Sequence, residues 1–568
     1  MPHYNCPNRK FRRLPITMKN NISTKFQTVT GKFGEREVRY LTAGSGPVVF
    51  LLHQSPKSAD EYKPLMDLWS NDFTMIAPDT PGFGASDPLE SDKVTIEDIA
   101  EATVELADAL DIVEFGLYGF HTGAIISIAL AHQFPNRIEA IACNGVLVLT
   151  DDELEKIRAK YLPPFVPQWD GGHLNWLWSR MREQLVFFPW HERSKDSRMQ
   201  FSISDPSILH ENAVEVMRAG DNYRSAYGAA FEYRLEKFVP SLKIPALITA
   251  GEWDPLCRCL DDLTPSKSTI IESSKDQNEA LEKSRTHLSQ YVNNMNIDLP
   301  KSPLKKNGLT KSVIKTSVGD VCIEKNFDQS NGQPLVIIPP IGGSSKTIRY
   351  LSSQLSSSKD LMVIDLPGHG ESTKDIKEPI LDAFNQAVTD VINDQNIQEL
   401  TLIIMSHHGS LAQFINENNV RVNHLILIEP WFADKDFIEE YKEKGVPDIQ
   451  KEWHGGHLNQ YWHMVRDSKL FWPWYNTGID GILDLKPQLD ETQLQDEVTE
   501  LIRSELNWKS AMISSLNASI NNQLKIKTTV CFRKNHPLST SSYQENDFSE
   551  LQLDDEIRNW SANLETIV

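Results

Sequence analysis

Of the 16 histidines in this chain, two stand in turns built for chemistry. His121 is the centre of Gly119-Phe120-His121-Thr122-Gly123, between one apolar run and the next. A histidine presented at the start of a helix is kept neutral by the helix dipole, so it is free to take a proton as general base or to attack as a nucleophile. It can equally act as an electrophile, donating a hydrogen bond to a substrate oxygen. The plain alternative is polar filler in a dead turn. The second half of the chain repeats the turn as Met405-Ser406-His407-His408-Gly409, with His407 in the central place and methionine where the first glycine stood.

A second group of residues is repeated as a block. Trp169-Asp170-Gly171-Gly172-His173-Leu174-Asn175 recurs as Trp453-His454-Gly455-Gly456-His457-Leu458-Asn459, and each copy runs on to an arginine (Arg182, Arg466) and a Phe-x-Pro-Trp. Leu174, Trp178, Met181 and Arg182 share one face of a helix. An arginine there is either paired with an acid, because an unpaired buried charge is costly, or it waits for a substrate carboxylate that guanidinium grips with two parallel bonds. Trp169 and His173 are expected at the mouth of the pocket, with His457 and Arg466 their second-half counterparts. Cys257 and Cys259 form a lone Cys-x-Cys, too few ligands for zinc, so no metal is expected. Dinucleotide and Walker glycine patterns are missing, so no cofactor is expected.

The elements that position these residues read as strands alternating with helices, the pattern of a mostly parallel sheet. Val48 to Leu52 is a continuous apolar strand, Thr74 to Ala77 the next, Ile96 to Ala109 a helix, and Phe115 to Tyr118 the strand that delivers His121. In the second half Leu335 to Ile338 and Leu400 to Ile404 play the same parts. The block repeat makes the chain a duplication. The expected plan is an arm over 1–25, a first α/β domain over 26–294 with a cap at about 151–217, a polar linker over 295–312, and a second domain over 313–568 with a cap at about 432–500.

A strand, an Asp-x-Pro-Gly-x-Gly-x-Ser turn (Asp79 to Ser86, Asp365 to Ser372) and a Gly-x-x-x-Gly turn before a helix together resemble the α/β-hydrolase superfamily. His53-Gln54-Ser55-Pro56 is similar to the His-Gly-x-Pro loop of its epoxide-hydrolase and haloalkane-dehalogenase branch. The resemblance implies two tandem α/β-hydrolase domains, each with a nucleophile elbow, and it implies serine, aspartate or cysteine where His121 and His407 stand. It also places Asp254, after the strand Ala246 to Ala250, in the position of the late acid; in the second half that place falls to His536. No histidine follows the strand near 269–273, so a Ser–His–Asp relay is not expected in either half. The expectation is a dyad in which Asp254 orients His121, with the backbone N–H of Thr122 and of the loop Gln54–Ser55 as oxyanion donors. His53 is expected to brace that loop or border the substrate. The second half, short of the acid, is expected to be degenerate.

Composition bounds the rest. A length of 568 residues suits two domains. A net charge of −21 argues against nucleic acid, because phosphate binding needs a basic surface. No apolar run approaches the roughly 20 residues of a membrane span. The arm has no apolar stretch of the secretory kind, and 6 scattered cysteines suit a reducing, cytoplasmic compartment. The reading that follows is an enzyme acting on a small, carboxylate-bearing molecule by base-assisted hydrolysis or a lyase step. Its rival is a pseudo-hydrolase that only binds a small ligand or a protein partner. The sequence leaves the oligomeric state open.

Overall fold

The structure is a computed structural model and describes residues 22–293, 298–330, 332–406, 421–431, 435–518, 526–540 and 548–568. His407 and Gly409 lie outside the described residues, as does most of the expected arm. The chain divides into two compact units, with the seam between Pro303 and Leu304. Pro167–Asn175, expected in the first cap, belongs to the second unit; Trp176–Pro303 returns to the first.

The first unit is built on β1 (Ser23–Gly31), β2 (Gly34–Ala43), β3 (Val48–Leu52), β4 (Thr74–Pro78), β5 (Phe115–Phe120), β6 (Ile138–Asn144), β7 (Ala246–Gly251) and β8 (Thr269–Ser274). They form one sheet in the order β1-β2-β4-β3-β5-β6-β7-β8. The β1–β2 and β2–β4 pairs are antiparallel and every later pair is parallel. Every residue of β3 and β5 is buried, as expected for strands covered on both faces. The helix Ile96–Ala109 starts where Thr95 and Asp98 form a reciprocal capping box. The helix Thr122–Gln133 is apolar all round and almost wholly buried, packed against β5, β6 and the helix Ile96–Ala109.

The second unit carries β9 (Thr310–Thr316), β10 (Gly319–Lys325), β11 (Leu335–Ile338), β12 (Leu361–Ile364), β13 (Glu399–Met405), β14 (Arg421–Ile428), β15 (Thr528–Arg533) and β16 (Ser549–Leu553). Their order, β9-β10-β12-β11-β13-β14-β15-β16, is that of the first sheet strand for strand.

The turn after β4 shows why its residues are what they are. Asp79 accepts from Ala59 N (2.8 Å) and Ala85 N (2.9 Å) and pairs with Arg39 at 3.1 Å. Gly84 sits at φ 56°, where a Cβ would lie 2.0 Å from Asp79 Oδ2, so only glycine fits. In the second unit Asp365 takes the corresponding place but shares Ser345 with Glu324. Ser345 N donates to Asp365 Oδ1 (2.6 Å), and Ser345 Oγ lies 3.0 Å from Glu324 Oε1 and 3.4 Å from Asp365 Oδ2. Burial, with Glu324 and other acids beside it, pushes the Asp365 carboxyl up to about 7.

Candidate active site

Strand β5 ends at Phe120, and the chain turns into the helix Thr122–Gln133 through His121, at φ 49° and ψ −109°. A non-glycine residue in this region is uncommon and is held by its surroundings. His121 N donates to Asn144 O at 3.0 Å, tying the turn to the end of β6. The flanking glycines are required by close approach: a Cβ on Gly123 would stand 1.7 Å from Leu52 O, and one on Gly119 2.3 Å from Gly123 O.

The imidazole stacks on Phe120 at 4.0 Å between centroids, and its Nε2 lies 2.8 Å from Asp254 Oδ2. Asp254 follows β7 and is almost completely buried; its Oδ1 accepts from Leu256 N at 2.9 Å. Because a carboxylate only accepts, the neutral ring carries its proton on Nε2 and leaves Nδ1 able to accept one. Among the described residues, nothing hydrogen-bonds to Nδ1. Gly145, at φ 72°, lies against the ring edge; a Cβ there would meet His121 Cδ2 at 2.5 Å and Nε2 at 2.8 Å.

The loop after β3 is braced on both sides. His53 Nδ1–H donates to Gln54 O (2.9 Å), and Nε2 accepts from Thr80 N (2.9 Å), which fixes the ring as a strut between two loops. Gln54 N, expected as an oxyanion donor, donates instead to Glu61 Oε1 at 2.8 Å, and the Gln54 side chain binds the other oxygen of Glu61. That amide is therefore engaged and cannot serve an oxyanion. Ser55 N makes a long contact to Thr122 Oγ1 (3.3 Å), while Ser55 Oγ is buried with no partner among the described residues. Thr122 N opens a helix, where amides have no intrahelical acceptor.

His121, Thr122, Gln54, Ser55 and Asp254 all line one cavity of about 170 Å³. Tyr161, Met181, Phe188, Tyr227, Phe231 and Trp253 supply its apolar wall, and Lys57 and Glu211 are its other charged groups. Sequence reasoning passed over Ser55 Oγ, Glu61, Lys57 and Gly145; the positions of Glu61 and Lys57 a few residues past the His-Gln-Ser-Pro loop were the available signal.

Four expected substrate-binding residues, His53, Trp169, His173 and Arg182, are not in that lining. Arg182 is half-buried away from it, and the arginine its helix buries is Arg180. The Arg180 guanidinium lies 5.4 Å from the Trp190 ring and within 6 Å of Tyr161 and Tyr223, and Nη1 donates to Gln184 Oε1 at 2.7 Å. His173 and Trp169 fall in the segment counted with the second unit. His173 Nδ1 accepts from Gln168 N (3.1 Å) and its Nε2–H donates to Gln495 Oε1 (2.6 Å), and burial keeps the ring neutral by pulling its pKa down. An amphipathic stripe tells which helix face is apolar but not what lies over it.

In the second unit the positive φ after β13 falls on Ser406 (59°), the residue before His407. His457 is buried with Nδ1 accepting from Glu452 N (3.2 Å), its pKa drawn down to about 4 by burial. Arg466 Nη1 lies 3.5 Å from Asp467 Oδ1. Neither lines the cavity of this unit, which takes Ser406, Glu429, Arg533 and His536 instead.

Residues 47–180 match the family model described as the α/β hydrolase fold. The chain has the α/β-hydrolase fold. An uncharacterized hydrolase of Saccharomyces cerevisiae is 35% identical over 22% of this chain and 42% of its own length. Pyrrolizixenacetamide deacetylase of Xenorhabdus hominickii is 30% identical over 22% of the chain and 48% of its own length. The chain thus spans less than half the length of these curated relatives. Epoxide hydrolase A of Mycobacterium thermoresistibile, a solved structure, aligns over 49% of this chain and all of its own at 18% identity, with a TM-score of 0.36.

Proposed function

We propose that the first unit is a hydrolase for a small acyl compound, with His121 as general base and Asp254 as its orienting partner. The 2.8 Å contact between them carries this reading. Held by Asp254, the ring turns a basic Nδ1 loose inside a cavity whose wall is largely aromatic and aliphatic, with Lys57 and Glu211 the other charged groups. The names of the relatives, a deacetylase among them, favour hydrolysis of an acyl bond.

In the proposed step a water oxygen attacks the acyl carbon while its proton passes to Nδ1. The negative charge that develops on the carbonyl oxygen is met by Thr122 N–H and the Ser55 hydroxyl. Collapse of that intermediate expels the leaving group, which takes the proton back from Nδ1, and Asp254 stabilises the imidazolium in between. A carboxylate on the substrate would meet Lys57, the cation of the lining. The same base would serve a lyase by removing a proton from carbon, and the product distinguishes the two.

The test is mass spectrometry of a cell metabolite extract incubated with the protein and, in parallel, with His121→Ala. A metabolite lost with gain of one water in the products, only with the unaltered protein, supports hydrolysis; cleavage without added water gives the lyase step. Depletion of one free ligand by both proteins, with no product, overturns the enzyme reading.

A further inference from the structure

We infer that the second unit holds a binding site of its own, a cavity for an uncharged aromatic ligand of about two rings. It lies at the carboxyl ends of β13, β14 and β15, where Ser406, Glu429 and Arg533 enter its lining. Its volume is about 300 Å³. That is roughly twice the ~150 Å³ that accommodates a benzene ring. Trp431, Trp472, Trp474 and Trp508 wall it together with Met464 and Met512. Tryptophan offers ring faces and edges for stacking, and methionine adapts its shape to what lies against it.

The charges identify the kind of molecule. Those in the lining come in opposed pairs: Arg533 holds Glu429 by two bonds of 2.6 and 3.0 Å, and Lys469 lies 2.6 Å from Glu497. Burial works against ionisation of Glu429, yet the Arg533 guanidinium, bonded to both of its oxygens, holds the carboxyl below the usual range. Burial also drives the His536 ring toward its neutral form. An ion entering here would lose hydration and, among the described residues, find no uncompensated counter-charge. An uncharged ligand loses nothing of that kind.

The backbone marks the same place. Ser406 (φ 59°) and Glu429 (φ 47°) sit at the ends of neighbouring strands. Glu505 (φ 43°) interrupts the helix Glu491–Asn517 between Leu501 and Trp508, both of which line the cavity. Such conformations are strained in non-glycine residues and gather at ligand sites. Binding rather than cleavage follows from the turn after β15. There His536 replaces the acid of the first unit, and its Nδ1 takes up the Leu538 N–H (3.2 Å) as Asp254 takes up Leu256 N–H. This site stands or falls independently of the hydrolase reading.

The experiment uses the full chain and two naphthalene dyes, neutral prodan and anionic dansylate. Prodan emission is expected to shift blue on binding, and Met464→Trp or Met512→Trp to weaken it at least tenfold. Leu147 lines the first cavity, so Leu147→Trp, which fills it, should leave prodan binding unchanged, and dansylate should bind at least tenfold more weakly. Hydrogen–deuterium exchange on the unaltered protein locates the dye without any variant: protection should appear at 460–470 and 501–515. No blue shift up to the solubility of prodan, equal binding of dansylate, or protection confined to peptides around His121 each overturns the inference.

Discussion

Asp254→Asn isolates the orienting carboxylate from everything else it does. The asparagine Oδ1 can still accept from Leu256 N, so the turn after β7 keeps its cap. What changes is the atom facing His121 Nε2 at 2.8 Å, now an NH2 group. Two donors cannot face each other, so the ring must move its proton to Nδ1 and present a lone pair to the asparagine. The nitrogen in the cavity is then already protonated and cannot act as a base. Loss of a charge-assisted hydrogen bond costs about 1.5–3 kcal/mol, or roughly tenfold to a hundredfold in rate, and the wrong tautomer adds to it. The expected fall in kcat/KM is therefore about 10²–10⁴-fold. It is measured on the metabolite identified by mass spectrometry, with the melting temperature followed alongside. A kcat/KM within threefold of the unaltered protein, with His121→Ala inactive, would refute the orienting role and leave His121 acting without Asp254.

Gly145→Ala drives a Cβ to 2.5 Å from His121 Cδ2 at a positive φ. It should cost about 2 kcal/mol, lowering the melting temperature of its unit by about 4–8 °C, with most activity lost. Arg180→Ala should destabilise the first unit by about 2–4 kcal/mol through three lost ring contacts and an emptied buried site, read as a lower urea midpoint. Arg182→Ala, outside the cavity, should leave KM within threefold. Asp365 is protonated more readily folded than unfolded, so its contribution is present below about pH 4 and is lost as pH rises through about 7. That rise corresponds to on the order of 4 kcal/mol, so Asp365→Asn should flatten the pH dependence of the second unit's unfolding across that interval.

The sequence carried the frame well because the frame is local. The run Val48 to Leu52 is apolar at every position and becomes a strand buried at every position. The helix Ile96–Ala109 announces its start through Thr95 and Asp98. The site was legible where a turn imposes its own demands, as Gly119 and Gly123 do around His121. It was not legible where a partner lies far along the chain or on an unseen side. Nothing in Gln54 foretells that Glu61 will occupy its amide, and nothing near His173 points to Gln495. Arg180 and Arg182 are two positions apart on one helix, and only the aromatic ring set on one side decides which is enclosed.

The position of β7 carries a consequence for synthesis. It pairs with β6, but roughly a hundred residues of helical chain separate the two, and the second sheet repeats the arrangement between β14 and β15. At about 5–20 residues per second, the ribosome leaves the bare edge of β6 waiting for about 5–20 s before its neighbour emerges. During that interval the far edge of β6, an apolar strand, is an open template for any other nascent strand. This chain meets the hazard twice in one translation, and in the first unit the awaited strand, β7, is the one that brings Asp254 to His121. Cells making it should therefore show ribosome-bound copies held by chaperones at two separate lengths, one for each sheet.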